Sequence, residues 1–293
     1  NKLCSGDRIV AITGMNRSNS VLAVEQIVRD AKMPFFYTGS SPSLYDLDNP
    51  YLFRMCPSDS IQALNGIPYL VEKLGATKVG ILYTTDDYGT GAFGVFEDYC
   101  KKTGTEYVGL PYNAGERDYT GQLLQLKNAG CDSLLLWGHA SDLVIITRQR
   151  VELGFEVVTM GGGGLGTADY LNIADPEVAD GLYCVGKYDP TDEAPFTQEF
   201  IKYFREEYGH DPLDSHAASY NSPFAIAAAI EIAGEATREA IRDAACQIKD
   251  LPGTFGMLRC DERRDMTRVC TVFKLHGEGS EITLEAIEKF EIA

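Results

Sequence analysis

No stretch of this 293-residue chain approaches the roughly 18 consecutive apolar residues that a membrane-spanning helix needs, so no such helix is expected. Basic residues are few: 26 Lys and Arg stand against 43 Asp and Glu, for a net charge of −17. That balance leaves no basic footprint for nucleic acid or for an anionic membrane surface. The eight cysteines form no C-x-x-C pair and the four histidines no H-x-x-x-H, so metal-ligand spacing is missing and no metal or cofactor is expected. Asp214-Ser215-His216 sets three triad residue types side by side. A working triad is assembled from separate elements around a strained nucleophile, so this one reads as coincidence and the chain as no enzyme. Repeats and low-complexity tracts are absent. The opening, Asn1-Lys-Leu-Cys-Ser-Gly-Asp7, carries neither a Met nor a signal-peptide pattern. It reads as the end of a helix with its Gly stop, and we expect an earlier stretch to have been removed.

What is present is an alternation of strand, polar loop and helix. Apolar runs at Ile9–Ile12, Phe35–Tyr37, Val79–Tyr83, Ser133–Trp137, Val157–Met160 and Leu182–Val185 suit strands buried on both faces of a parallel sheet. Helical periodicity marks Val21–Ala31, Ser60–Leu74, Gly91–Lys102, Tyr119–Ala129, Ser141–Leu153 and Glu193–Tyr208, then Ser222–Ala233 and Thr237–Ile248. The fold class is therefore α/β, with doubly wound parallel sheets. Strand ends beside helix N-termini are where such sheets hold ligands, and here they carry Ser, Asn, Thr, Tyr and Asp.

Extended, Pro-containing segments at Phe53–Ser58 and Val185–Pro190 look like crossings between domains. We expect two lobes joined by a multi-strand hinge, with a cleft between them. Lobe 1 is assigned 1–57 and 190–268, lobe 2 58–189 and 269–284, and 285–293 a C-terminal extension. The end of the chain reads as a hairpin of Thr254–Cys260 with Val269–Leu275. Cys260 and Cys270 flank its turn and are either a cross-strand disulfide or free buried thiols.

Five passages, in order along nearly the whole chain, resemble the branched-chain amino-acid (Leu/Ile/Val) binding proteins of ABC importers, which have the type I periplasmic-binding-protein fold. They are Ile9–Gly14 with Ser18-Asn-Ser20; Ser40–Leu44 through Asn49-Pro-Tyr-Leu-Phe-Arg54; Lys78–Tyr83 with Asp86-Asp-Tyr-Gly89 and Gly91; Asp118-Tyr-Thr120 with Leu123, Leu126 and Gly130-Cys-Asp132; and Cys260–Asp265. The resemblance implies an extracytoplasmic solute-binding protein that holds a small amino acid or other small carboxylate between its lobes and hands it to a membrane permease. A ligand-sensing receptor or regulator on the same fold is the alternative. Position by position, it implies that Ser18 binds the ligand carboxylate and that Gly39 and Ser41 reach its carboxylate and amine. It implies that Tyr88 is contributed from the other lobe and that His139 lines the specificity side. Read from the residues alone, Ser18 equally suits a helix cap, Ser41 a turn before Pro42, Tyr88 a packed aromatic and His139 a satisfied strand-end histidine.

Two departures from the family pattern bear on the ligand. Where relatives often place an acid for the ligand's ammonium, this chain has Gly161-Gly-Gly-Gly-Leu-Gly166, with Gly163 at the matching position. An unpaired ammonium in a dry site is costly, so either Asp86, Asp87 or Asp142 supplies the charge or the ligand is a different carboxylate or an amide. The family's first two β/α units, on the order of 50 residues, are also missing, which would leave the Ile9–Ile12 strand with an open edge. The glycine stretch formally matches a dinucleotide fingerprint and would make the chain an NAD-dependent oxidoreductase, a remote alternative because Thr167–Ala174 is too short for the required helix.

Overall fold

The computed structural model describes residues 2–6, 8–267 and 269–291. The strands are β1 (Ile12–Gly14), β2 (Phe35–Tyr37), β3 (Leu52–Arg54), β4 (Lys78–Thr84), β5 (Glu106–Tyr112) and β6 (Ser133–Trp137). They continue as β7 (Val158–Gly161), β8 (Tyr183–Gly186), β9 (Leu251–Gly253), β10 (Gly256–Leu258), β11 (Val269–Glu278) and β12 (Glu281–Glu291). The helices are α1 (Ser18–Asp30), α2 (Asp59–Pro68), α3 (Asp87–Thr103), α4 (Thr120–Asn128) and α5 (Ala140–Glu152). After them come α6 (Ala168–Leu171), α7 (Pro176–Ala179), α8 (Pro195–Tyr208), α9 (Asp214–Ala233) and α10 (Arg238–Ala245).

The chain forms two compact units. One contains Asn1–Ser58 and Lys187–Val269, the other Asp59–Gly186 and Cys270–Phe290. The first holds a parallel sheet in the order β1-β2-β3, with β1 at one edge. Its core packs the stacked rings of Phe36 and Phe53 against Ala225, Ala229 and Ile241 of α9 and α10. A second cluster joins Val21 and Val28 of α1 to Phe35 and Tyr37. Helix ends follow local chemistry. Pro195 opens α8, where a missing N–H costs nothing, and Gly209 closes it at φ 74°, a left-handed conformation that side chains with a Cβ resist.

The second unit is built on a seven-stranded sheet, β12-β11-β8-β7-β6-β4-β5. Strands β5, β4, β6, β7 and β8 run parallel, and β11 is antiparallel to β8. The apolar runs of β4 and β6 are buried because helices cover both faces of a parallel sheet. Strand β5 was not expected from the sequence: it lies at the edge, and its half-exposed residues lack a continuous apolar run.

The C-terminal expectations are corrected. Residues 251–258 form their own short hairpin, β9 with β10, whereas β11 pairs with β8. Positions 285–291, expected to trail as an extension, continue β12, whose strict alternation of exposed and half-buried residues is that of a strand with one face in solvent. Of the two readings of Cys260 and Cys270, the free one holds and the cross-strand disulfide does not. Both are free thiols in different units, and Cys270 is buried beside Asn65, where burial pushes it up to about 12.

Candidate functional site

In the first unit the polar residues gather where β1 and β2 end. Ser18 opens α1, and the helix has no acidic residue in its first turn. Ser18 does not cap its own helix. Its Oγ accepts the backbone N–H of Ser41 at 3.0 Å, and both side chains are buried. A hydroxyl that accepts in this way keeps its own proton as a donor. Ser41 Oγ lies 2.9 Å from Ser43 Oγ and accepts the Ser43 N–H, starting the turn Pro42–Tyr45. Gly39 lets the two loops meet: a Cβ there would sit 3.2 Å from the Ser18 Cα. Two hydroxyls thus stand at the start of α1, the positive end of its dipole, an arrangement suited to a carboxylate.

A buried ion pair lies behind this loop, and the sequence reading assigned it no role. Arg54, at the end of β3, is wholly buried. Its Nη1 and Nη2 donate to the carbonyls of Ser40 and Ser41, each at 3.1 Å, and its Nε lies 3.3 Å from Asp265 Oδ1. The Tyr45 ring covers the guanidinium at 4.3 Å, and the Tyr45 hydroxyl donates to Asp265 Oδ2. Burial alone would lower the Arg54 pKa, but Tyr37 and Asp265 reverse that and hold it above its usual value, so Arg54 stays charged. Tyr45 and Asp265 are 220 positions apart, and no spacing rule connects them.

In the second unit, strand order reverses about β4, which has β5 on one side and β6 on the other. Such a switch point opens a crevice at the strands' carboxyl ends. There Asp86 caps α3 by accepting the Gly89 N–H at 3.1 Å, and its Oδ2 lies 2.6 Å from His139 Nε2. Tyr88, in the first turn of α3, stacks on His139 with centroids 5.4 Å apart and leans on buried Trp137 at 6.1 Å. The structure therefore brings Asp86, Tyr88 and His139 together, as it does Ser18, Gly39 and Ser41 in the other unit.

The acids weighed for an ammonium are placed unequally. Asp142 is buried and accepts from the Gly115 N–H and the Tyr119 hydroxyl, both at 2.9 Å. Asp86 faces His139, and Asp87 lies half-buried beside it in α3. Gly163 is buried in a 3₁₀ turn, Gly163–Gly166. Its neighbours are glycines for packing reasons: a Cβ on Gly162 would press into the Trp137 ring at 2.8 Å, and one on Gly164 would meet the Gly138 carbonyl at 2.3 Å. The stretch then enters α6, only four residues long, rather than a crossover helix that could face a pyrophosphate.

Burial would raise the Asp86 pKa, but the hydrogen bonds from His139 and from the Gly89 and Tyr88 N–H groups outweigh it and hold the carboxyl below its usual value. A carboxylate depressed in the folded state contributes stability above its unfolded pKa, near 3.9, and loses it as pH falls through the folded value. Asp86→Asn should therefore melt below the parent at about pH 6, and the gap should shrink as pH drops below about 4. Melting curves across that range check this. A gap that widens in acid would contradict the assignment.

A family model for periplasmic binding proteins matches residues 1–279. Leu/Ile/Val-binding protein homolog 8 of Brucella abortus is 26% identical over 230 residues, covering 71% of this chain and 56% of its own length. The chain thus spans little more than half of that relative. Leucine-binding protein LivK from Thermotoga maritima superposes with TM-score 0.90 at 24% identity, covering 97% of this chain and 81% of that one. A solute-binding protein of an ABC transporter from Rhodopseudomonas palustris, solved with 3,4-dihydroxybenzoic acid, gives TM-score 0.87 at 20% identity, covering 99% and 81%.

Proposed function

Because this chain belongs to the periplasmic binding protein family, we propose that it captures a small carboxylate outside the cytoplasmic membrane for an ABC importer. The observation that carries this reading is the pair of buried hydroxyls, Ser18 and Ser41, beside the start of α1 and held in place by Arg54. A carboxylate there takes the Ser18 proton and the helix N–H groups as donors. Tyr88 and His139, stacked on each other in the second unit, are a further candidate contact, as is the buried Gly163 turn of that unit. The Tyr88 ring suits a flat or branched apolar ligand body.

Asp86 already faces His139, which supports a ligand without an α-ammonium, such as an aromatic acid, over leucine. Amino acids remain the wider class named for the relatives. Thermal-shift titration with leucine, isoleucine, benzoate-type acids and the matching amides tests both levels. A ligand at about 100 times its Kd adds about 2.7 kcal/mol, a shift of several degrees. Carboxylates should shift the melting point and their amides should not. Shifts from the amides alone would overturn the carboxylate reading, and a shift confined to leucine and isoleucine would overturn the preference for an aromatic acid. No described helix is long and apolar enough to cross a membrane.

A further inference from the structure

We propose that Cys246 and Cys260 form a reversible disulfide that clips the end of α10 to the segment presenting Asp265. Cys246 is the C-cap of α10. After the β9–β10 hairpin the chain runs back along the residues that follow this helix. Leu258 pairs with Leu251, Cys260 N donates to the Ile248 carbonyl at 2.9 Å, and Arg259 Nε donates to the Lys249 carbonyl at 2.9 Å. This return sets Cys260 beside the residues that follow Cys246, close enough for the two thiols and Arg264 to influence one another. Cys246 is exposed and Cys260 half-buried, whereas Cys56, Cys100, Cys131, Cys184 and Cys270 are buried.

The pair is electrostatically divided. The hydrogen bond from Cys260 and the charge of Arg264 push the Cys246 thiol down to about 6, against burial and the nearby Asp243. Cys260 is pushed up, first by its bond to Cys246 and then by burial, with Asp261 adding to the rise. Cys246, the more exposed of the two and beside Arg264, is the thiol that an outside disulfide reaches first. A low-molecular-weight disulfide such as oxidised glutathione supplies the oxidant. The Cys246 thiolate attacks one of its sulfurs and expels a thiolate, which takes a proton from solvent. Cys260 then loses its proton and attacks the Cys246 sulfur of the mixed disulfide, expelling the second thiol. Two protein thiols are oxidised and one disulfide is reduced to two thiols.

The clip bears on the binding loop through the residues that follow. Asp261 accepts the N–H groups of Arg263 and Asp265, the Arg264 carbonyl accepts the Arg54 N–H at 2.9 Å, and Met266 N donates to the Arg54 carbonyl at 2.8 Å. Tethering Cys260 therefore anchors the segment that sets Asp265 against Arg54.

The test uses the full chain and thiol chemistry, so its outcome does not depend on any ligand. After incubation with oxidised glutathione and quenching with iodoacetamide, two of the eight thiols should be lost and non-reducing peptide mapping should join Cys246 to Cys260. The oxidised protein should melt about 5 °C higher, as expected for closing a loop of this length, and dithiothreitol should reverse the shift. Cys246→Ala and Cys260→Ala should each lose both the link and the shift. In the reduced protein, alkylation of Cys246 should reach half its maximal rate below the ordinary thiol value of about 8.5. Eight thiols remaining after oxidation, a link to another cysteine, or glutathione left on Cys246 without closure would each overturn the proposal.

Discussion

Arg54→Met is expected to destabilise the protein by about 3–5 kcal/mol, the cost of leaving a buried charge without its partner. In this case the orphan is Asp265, 1% exposed, together with the carbonyls of Ser40 and Ser41, which lose their guanidinium donors. Chemical denaturation measures the loss directly. A second variant separates the pair from the packing: in Arg54→Met, Asp265→Asn the carboxylate is gone, and a large part of the stability should return. If Arg54→Met costs under about 1 kcal/mol, the pair is no more than an exposed ion pair in effect and the proposed support of the Ser40–Ser41 loop fails. The partial rescue follows from charge, since buried pairs contribute little net stability and their chief energetic signature is the penalty of breaking them.

The second large effect concerns ligand. Ser18→Ala, Ser41→Ala should weaken binding of a carboxylate by about 10²–10⁴-fold, from two hydrogen bonds to a charged group at about 1.5–3 kcal/mol each. Calorimetric titration with the best hit of the ligand screen gives the number. The melting point of the ligand-free double variant serves as the control. Ser18 Oγ accepts the Ser41 N–H, so a fall of a few degrees is expected from that lost bond alone. Unchanged affinity in a folded double variant would remove these two serines from the site while leaving the fold and family untouched.

Much of the architecture was legible in the residues. Strands β2 and β6 fall on the apolar runs Phe35–Tyr37 and Ser133–Trp137 that sequence reading marks out. Helix ends were less legible. Helix α1 begins at Ser18, ahead of the apolar stripe from Val21, because its first residue turns toward the Ser41 loop and carries a polar side chain. Similarly, α9 starts at Asp214, well before Ser222, since its early residues pack through small Ala side chains that give little periodic signal. Edge strands β5 and β12 escaped detection because half-exposed strands alternate in polarity and carry no continuous apolar run.

The sequence by itself determined the alternation of strand and helix, the polar residues waiting at strand ends, and the resemblance that singles out Ser18, Gly39, Ser41, Tyr88, His139 and Gly163. Those signals are local: periodicity, capping preference and short motifs act over a few residues. Only the tertiary structure decided what each of them touches. It paired His139 with Asp86, set Arg54 and Asp265 behind the serine loop, and left Cys260 and Cys270 as free thiols in different units. The His139–Asp86 and Arg54–Asp265 contacts join residues far apart along the chain, and strand order and loop return, which no local pattern encodes, bring them within a few ångströms.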